Sequence, residues 1–163
     1  TLRASNGIAH YKSENLKISF SEIMLDQKNF ISIARNNVEI VDLKNNIIVK
    51  SDLIEFDNNK GIIKSSIHSE IIDSDQNILT ADNVIYDLKN HIIKLDNTFL
   101  KDKNENIFNI EIAFLDVLKK ELIGKDITLN LNNKTFNTQN DPRIKGRSII
   151  YKDRFTSNII TVL

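Results

Sequence analysis

The sequence predicts an all-β protein of stacked antiparallel strands, and three observations predict it. The first is a repeat. Ser51-Asp52-Leu53-Ile54-Glu55-Phe56-Asp57 returns thirty residues later as Ala81-Asp82-Asn83-Val84-Ile85-Tyr86-Asp87. A short apolar run ending in Asp or Asn recurs at Val38–Asp42, Ser69–Asp73, Thr98–Asp102 and Asp126–Asn130, at spacings of 31, 29 and 28 residues. A period of this size marks stacked supersecondary units, none of which can bury its apolar face alone. The second is composition: 28 Ile and 22 Asn stand against 4 Gly and 1 Pro. β-Branched Ile favours strands, and Asn tolerates the positive φ of tight turns. The third is rhythm, because short apolar runs alternate with polar breaks at regular intervals.

Taken in order, Ile8–Tyr11 and Leu16–Phe20 flank a turn at Lys12–Asn15. Leu16, Ile18 and Phe20 alternate with Lys17 and Ser19, the period-two pattern of a half-buried strand. Ser21–Asp26 and Phe30–Ala34 flank the break Gln27-Lys28-Asn29. Val38–Val41 and Ile47–Lys50 flank Asp42–Asn46, and Leu53–Phe56 and Ile62–Lys64 flank Asp57–Gly61. Further breaks fall at Asp73–Asn77, Asp87–Asn90, Lys101–Asn106 and Asn132–Lys134. Between Asn109 and Leu122, Ile112, Leu115, Leu118 and Leu122 have helical spacing. The repeat register instead predicts two strands there with a hairpin near Val117–Lys120, because the neighbouring rungs need a partner at that edge.

Strict alternation assigns the faces. Ile63, Ile67 and Ile71 point together, away from Lys64, Ser66, His68 and Glu70. Ile93, Leu95 and Phe99 do likewise, and Ile123, Ile127, Leu129 and Leu131 continue the row. Each rung then has one apolar and one polar face, as in an antiparallel sheet with one side on a core. A packed core and a ligand-carrying groove share this signature. Between residues 21 and 41 the phase is open: Phe30, Ala34, Val38 and Ile40 compete with Ile31 and Ile33, and a bulge at Asn36-Asn37 reconciles them.

At 163 residues the chain fits one domain, and no linker or low-complexity tract divides it. Lys plus Arg equals Asp plus Glu at 22 each, so the basic excess of a nucleic-acid binder is missing. Without cysteine there is neither a disulfide framework nor a thiolate metal site, and the redox compartment stays undecided. No apolar stretch is long enough for a membrane-spanning helix, and no signal peptide opens the chain. The start at Thr1 and the apolar end at Ile159–Leu163 suggest an excised or mature piece. His10, His68 and His91 lie far apart with no ligand-spaced partners, so no metal is expected. The isolated glycines form no phosphate loop, and no nucleophile elbow occurs. Asp recurs at positions 26, 42, 57, 73, 87, 102 and 116. A stacked Asp column would suit a polysaccharide-active β-helix. Followed by Asn, Lys or Gly, however, Asp is ordinary turn chemistry, its carboxylate accepting backbone N–H bonds. No enzyme activity, catalytic residue or cofactor is expected.

Ala81-Asp82-Asn83-Val84-Ile85-Tyr86-Asp87 with the following Ile92-Ile93-Lys94-Leu95 and Leu100-Lys101-Asp102 resembles the OstA/LptA-type repeat of the lipopolysaccharide-transport system. Residues 51–57 fit the phrase well and 109–116 poorly, and the likeness spans about 15 to 135. Asp141-Pro142-Arg143-Ile144-Lys145-Gly146-Arg147-Ser148 resembles the segment by which LptD, the organic solvent tolerance protein, passes from its periplasmic jellyroll toward an outer-membrane barrel. Pro142 also falls where a stack is expected to stop, since proline cannot donate to a continuing ladder.

The resemblance implies an open β-jellyroll (a β-taco) over residues 1–140 and a connector over 141–163, including Asp141, Pro142, Arg143, Lys145, Gly146 and Ser148. It implies the periplasmic side of a Gram-negative outer membrane and lipopolysaccharide transport and assembly. The groove for lipid A acyl chains would be lined by Ile63, Ile67, Ile71, Ile93, Leu95, Phe99, Ile123, Ile127 and Leu129. Implied partners are a neighbouring LptA-like jellyroll joined by edge-strand pairing and, through the barrel, an LptE-like lipoprotein. The alternatives are a free-standing LptA-like bridge and a closed β-solenoid adhesin or polysaccharide-active β-helix.

Overall fold

The computed structural model describes residues 1–102, 105–132, 142–153 and 156–160. These form thirteen strands joined in one antiparallel sheet. They are β1 (Leu2–Tyr11), β2 (Leu16–Asp26), β3 (Ile31–Asp42), β4 (Ile47–Asp57), β5 (Ile62–Ser65), β6 (Ser69–Ile72) and β7 (Ile78–Ala81). Then follow β8 (Asn83–Asp87), β9 (Ile92–Lys101), β10 (Ile107–Asp116), β11 (Glu121–Asn130), β12 (Arg143–Asp153) and β13 (Thr156–Ile160). The stretch with helical spacing is therefore two strands, β10 and β11, with a turn between them. Every predicted break up to Asn90 is the connection it was expected to be; Lys103 and Asn104 of Lys101–Asn106, and Asn133 and Lys134 of Asn132–Lys134, lie outside the described residues.

Each long strand is bent at one place, so the single sheet folds into two walls. β5 and β6 make one rung and β7 and β8 the next: β4 pairs with β5 through Glu55–Asp57 and with β6 through Ile48–Ser51. β9 divides likewise between β8 and β7. The bends align across the stack. Register places Asn6 opposite Ser21, Asn36 and Asn37 beside Asp52, Asn97 opposite Glu111 and Asp126 opposite Glu111 and Arg147. From Asn6 to Asp126 these corner positions, with Ile67 and Asp82, recur about every fifteen residues, half the sequence period.

Left-handed backbone makes several of these corners. Asn6, Asn36, Asn37, Asn97 and Asp126 all have positive φ, between 49° and 60°. Asn and Asp enter this region more readily than other L-residues because their short polar side chains bond locally. Asn97→Val should therefore lower unfolding stability by about 1–2 kcal/mol, read from urea denaturation, while Asn97→Gly should not.

The corners also change the side-chain phase. In β9 the inward residues are Ile93, Leu95, Thr98 and Leu100; in β10 they are Phe108, Ile110, Ala113 and Leu115. The step of three across each corner is an extra residue, as in a β-bulge. Strict alternation therefore fails there, and three expected groove residues lie outside. Phe99 is 39% exposed and Ile123 46% exposed, both on the far side of a corner from the residues they were aligned with. Ile67, 38% exposed, lies in the bend between β5 and β6. β3 differs: the bulge at Asn36-Asn37 adds one more residue at its corner, so Ala34, Val38 and Ile40 keep one parity and lie inside, Ile31 and Ile33 are only half-buried, and Phe30 is exposed in its turn.

The turns fall on two rims. One carries the connections at 12–15, 43–46 and 73–77 with Asp102, Glu105 and Asn106, the other the connections at 27–30, 58–61, 88–91 and 117–120. The recurring Asp residues build them. Asp87 Oδ1 accepts the backbone N–H of Lys89 and of Asn90, both at 3.0 Å, and its Oδ2 accepts Asn90 Nδ2 at 2.7 Å. Asp26 and Asp42 repeat the arrangement with Asn29 and Asn45. Asp57, Asp73, Asp102 and Asp116 accept backbone N–H groups of their own turns. Each turn closes on a positive-φ residue such as Asn46, Gly61 or His91.

The stack does not stop at Pro142. β12 resumes at Arg143 and pairs with β11 from Asn130↔Arg143 to Leu122↔Tyr151. Pro142 sits just before the ladder, where its carbonyl accepts Leu131 N–H at 3.0 Å and its missing N–H interrupts nothing. Arg143, Lys145, Gly146 and Ser148 of the expected connector are thus within β12, and Asp141 lies outside the described residues.

Candidate functional site

The candidate site is the space between the walls. Its lining comes from alternate residues of every rung, and one apolar cluster runs from Leu16 and Ile18 to Ile149 and Tyr151. Of the expected groove residues, Ile63, Ile71, Ile93, Leu95, Ile127 and Leu129 are brought together in it. Phe56, Tyr86, Leu100, Phe108 and Ile110, not among the expected groove residues, belong to the same lining. Mid-stack it is packed tight: Ile63, Ile71, Ile93 and Leu95 have no solvent-accessible surface. At the β1 end it is looser, with Ala9, Tyr11 and Ile23 only partly buried.

One long side of this space is the line of corners, closed by continuous backbone. The opposite side is a seam where the two rims meet. Among the described residues no backbone–backbone hydrogen bond or strand pairing crosses it. Side chains do. Tyr11 Oη and Ser32 Oγ share a hydrogen bond of 2.6 Å, and the Tyr11 ring meets Phe56 edge-on at 4.7 Å. Tyr86 O–H donates to Asp42 Oδ2 at 2.5 Å, and Asn45 Nδ2 donates to Tyr86 Oη at 3.3 Å. Lys120 Nζ reaches Asp75 Oδ1 at 3.1 Å. Phe108 and Tyr151 meet across the walls at 5.5 Å.

Tyr86 and Asp42 are both buried. Burial, and then the carboxylate of Asp42, push the Tyr86 hydroxyl above its ordinary range, so it remains a hydrogen-bond donor. Asp42 is held for this bond by its turn, since Oδ1 is occupied by the N–H groups of Lys44 (2.9 Å) and Asn45 (3.0 Å). The sequence marked both positions, Tyr86 as the aromatic of the repeat and Asp42 as a turn residue. What it missed was their meeting, across 44 residues of chain.

The carboxylates of the turns, and Asp96 within β9, make stability acid-dependent. Hydrogen bonds hold several below the ordinary carboxyl value: Asn29 to Asp26, Lys60 to Asp57, Asn90 to Asp87, Asn83 to Asp96 and Lys119 to Asp116. A carboxyl whose pKa is lowered by folding stabilises the fold above its unfolded value of 3.8, and that contribution disappears as pH falls through the lowered value. The urea midpoint should accordingly hold steady down to about pH 5 and fall steadily below about pH 4. Asp87→Asn should flatten part of that fall.

No protein-family model matches the chain, and no curated protein does. Among solved structures it is similar to the crystal structure of LptH, the LptA homologous periplasmic component of the conserved lipopolysaccharide transport device from Pseudomonas aeruginosa. The likeness has a TM-score of 0.58 at 11% identity, over 82% of this chain and 95% of that one. At this identity the agreement is one of fold: the chain has the two-walled, antiparallel β-jellyroll of LptA-like proteins.

Proposed function

We propose that this chain is a periplasmic lipid-carrying module of a lipopolysaccharide-transport system, taking acyl chains between its two walls. The observation that carries the reading is the uninterrupted apolar lining along the stack of an LptA-like jellyroll. Burying one CH₂ is worth roughly 0.8 kcal/mol, so an acyl chain of about a dozen carbons costs around 10 kcal/mol to expose to water. A carrier crossing an aqueous space needs such a lining from end to end and no covalent chemistry. Ile63, Ile71, Ile93, Leu95, Ile127 and Leu129 are the proposed acyl contacts.

Within that system the segment 141–148 favours the periplasmic domain of an LptD-like outer-membrane assembly protein over a free-standing LptA-like bridge. The strands it leads into would precede the barrel, and an LptE-like lipoprotein would be met only through that barrel. At the other end, β1 pairs among the described residues on one side only, with β2, and leaves Leu2 and Ile8 exposed. Its free backbone groups suit strand addition by a neighbouring jellyroll, which would extend the lining.

The dry mid-stack packing favours the second reading, a closed β-solenoid. Photo-crosslinking within an active transport system separates the two. A crosslinker at Ile71 or Leu95 should capture lipopolysaccharide, and one at the outward positions Ile67 or Phe99 should not. Capture from neither inward position would overturn the carrier reading.

A further inference from the structure

We propose that the seam is a lateral entrance to the interior, held shut by a latch in which Tyr86 bonds Asp42 across the rims, with the line of corners as its hinge. The assignment of this opening to lipid entrance rests on the lipid-carrier reading above; the latch itself does not. The interior is dry and packed mid-stack, so a ligand reaches it only if something separates. The corner side cannot separate without breaking the chain's own continuity. Along the seam only side chains join the walls, at Tyr11–Ser32, Tyr86–Asp42, Asn45–Tyr86 and Lys120–Asp75 among the described hydrogen bonds.

The Tyr86–Asp42 bond is the buried member of this set, and the geometry suits a latch. Asp42 keeps its bonds to Lys44, Asn45 N–H and Asn45 Nδ2 whether or not Tyr86 is present. At this level opening removes the Tyr86–Asp42 and Asn45–Tyr86 bonds and parts the apolar side chains behind them, while the acceptor Asp42 stays in place. Directly over it lies a cavity of ≈ 250 Å³ lined from both rims, by Asn15, Asp42 and Asn45 on one and Leu88, Lys89 and His91 on the other. This cavity is the outer mouth of the entrance.

The hinge is equally visible. At the corners the register shifts between Ser19 and Glu22 and between Arg35 and Val38. Two rungs are interrupted outright, between β5 and β6 and between β7 and β8. Hinges of this kind take up φ/ψ change at the ends of elements while the packed parts move as bodies.

The chain has no cysteine, which gives a direct test. Ala81→Cys places a thiol inside, at a position 1% exposed, with little change in volume. Its rate of maleimide labelling reads opening without any lipid. Tyr86→Phe keeps the ring and removes the bond; labelling should rise about tenfold, beyond any rise expected from its change in global unfolding measured in urea. Asp42→Asn, which keeps a weaker acceptor, should give a smaller rise. Lys44→Cys and Lys89→Cys, both lining the mouth, joined by a cleavable bis-maleimide should suppress labelling, and cleavage should restore it. Labelling that tracks global unfolding alone in every variant would overturn the latch. In a second arm, purified lipopolysaccharide is offered to the stapled and cleaved protein lacking Ala81→Cys. Uptake only after cleavage supports lateral entrance. Equal uptake by both overturns it, and no uptake by either, with the labelling result intact, overturns the carrier reading and leaves the latch standing.

Discussion

Leu95→Ala should lower unfolding stability by about 2–5 kcal/mol, whereas Phe99→Ala, four residues on in the same strand, should change it by less than about 1 kcal/mol. Strict alternation places both side chains on one face and predicts similar losses. The structure separates them, with Leu95 inaccessible and Phe99 39% exposed, because Asn97 stands between them in the left-handed region at φ 52°. Leu95 lies in the shared apolar cluster, and its truncation leaves a void that close-packed neighbours only partly fill. Phe99 packs outward beside Thr80 and Asn109 of the neighbouring strands, where water can take its place. Urea denaturation of the two variants checks the phase change directly. Equal losses would mean that β9 runs straight through its corner.

Gly124→Val should cost about 1–3 kcal/mol, and the double variant with Ile110→Ala should be more stable than the sum of the two single changes. Gly124 faces inward in β11 opposite Ala113. A Cβ there would stand 2.7 Å from Ile110 Cγ2 and 2.9 Å from Ile149 Cγ2, closer than packed carbons allow. The interior is thus narrowed at this level by one bulky side chain from each neighbouring strand and a glycine between them. Truncating Ile110 returns the volume that valine takes. A simple additive loss would show that the site cannot share space, and would count against this packing.

Much of the architecture was legible because the relevant signals are local. Asp at the end of a strand, followed by Asn or Lys, is a turn wherever it stands, and the seven recurring Asp residues proved to be turn residues in the structure. The helical spacing between Ile112 and Leu122 was overridden by pairing demand from both sides, from Ile93–Leu95 of β9 and from Ile149–Tyr151 of β12. The expected stop at Pro142 failed for a different local reason. A proline one residue outside a ladder removes no ladder bond, so β12 could begin directly after it.

The inner face was legible in part. Ile63, Ile71, Ile93, Leu95, Ile127 and Leu129 were placed on the inner face by alternation within a half-strand. Ile67, Phe99 and Ile123 were carried by the same alternation across or into a corner, where parity is lost. A signal existed, since Asn36-Asn37, Asn97 and Asp126 sit at one level of the stack, but Asn and Asp are also frequent in the turns. Nothing in the residue types alone distinguishes a mid-strand left-handed residue from a turn.

The sequence by itself determined the β class, the rungs, their turns and the apolar row, because each follows from residue preferences over a few neighbouring positions. Only the tertiary structure decided that the sheet folds at aligned corners into two walls, which residues those corners turn outward, and that the seam between the rims is joined by side chains such as Tyr86 and Asp42. Those features depend on contacts between residues tens of positions apart, and such contacts leave no local pattern to read.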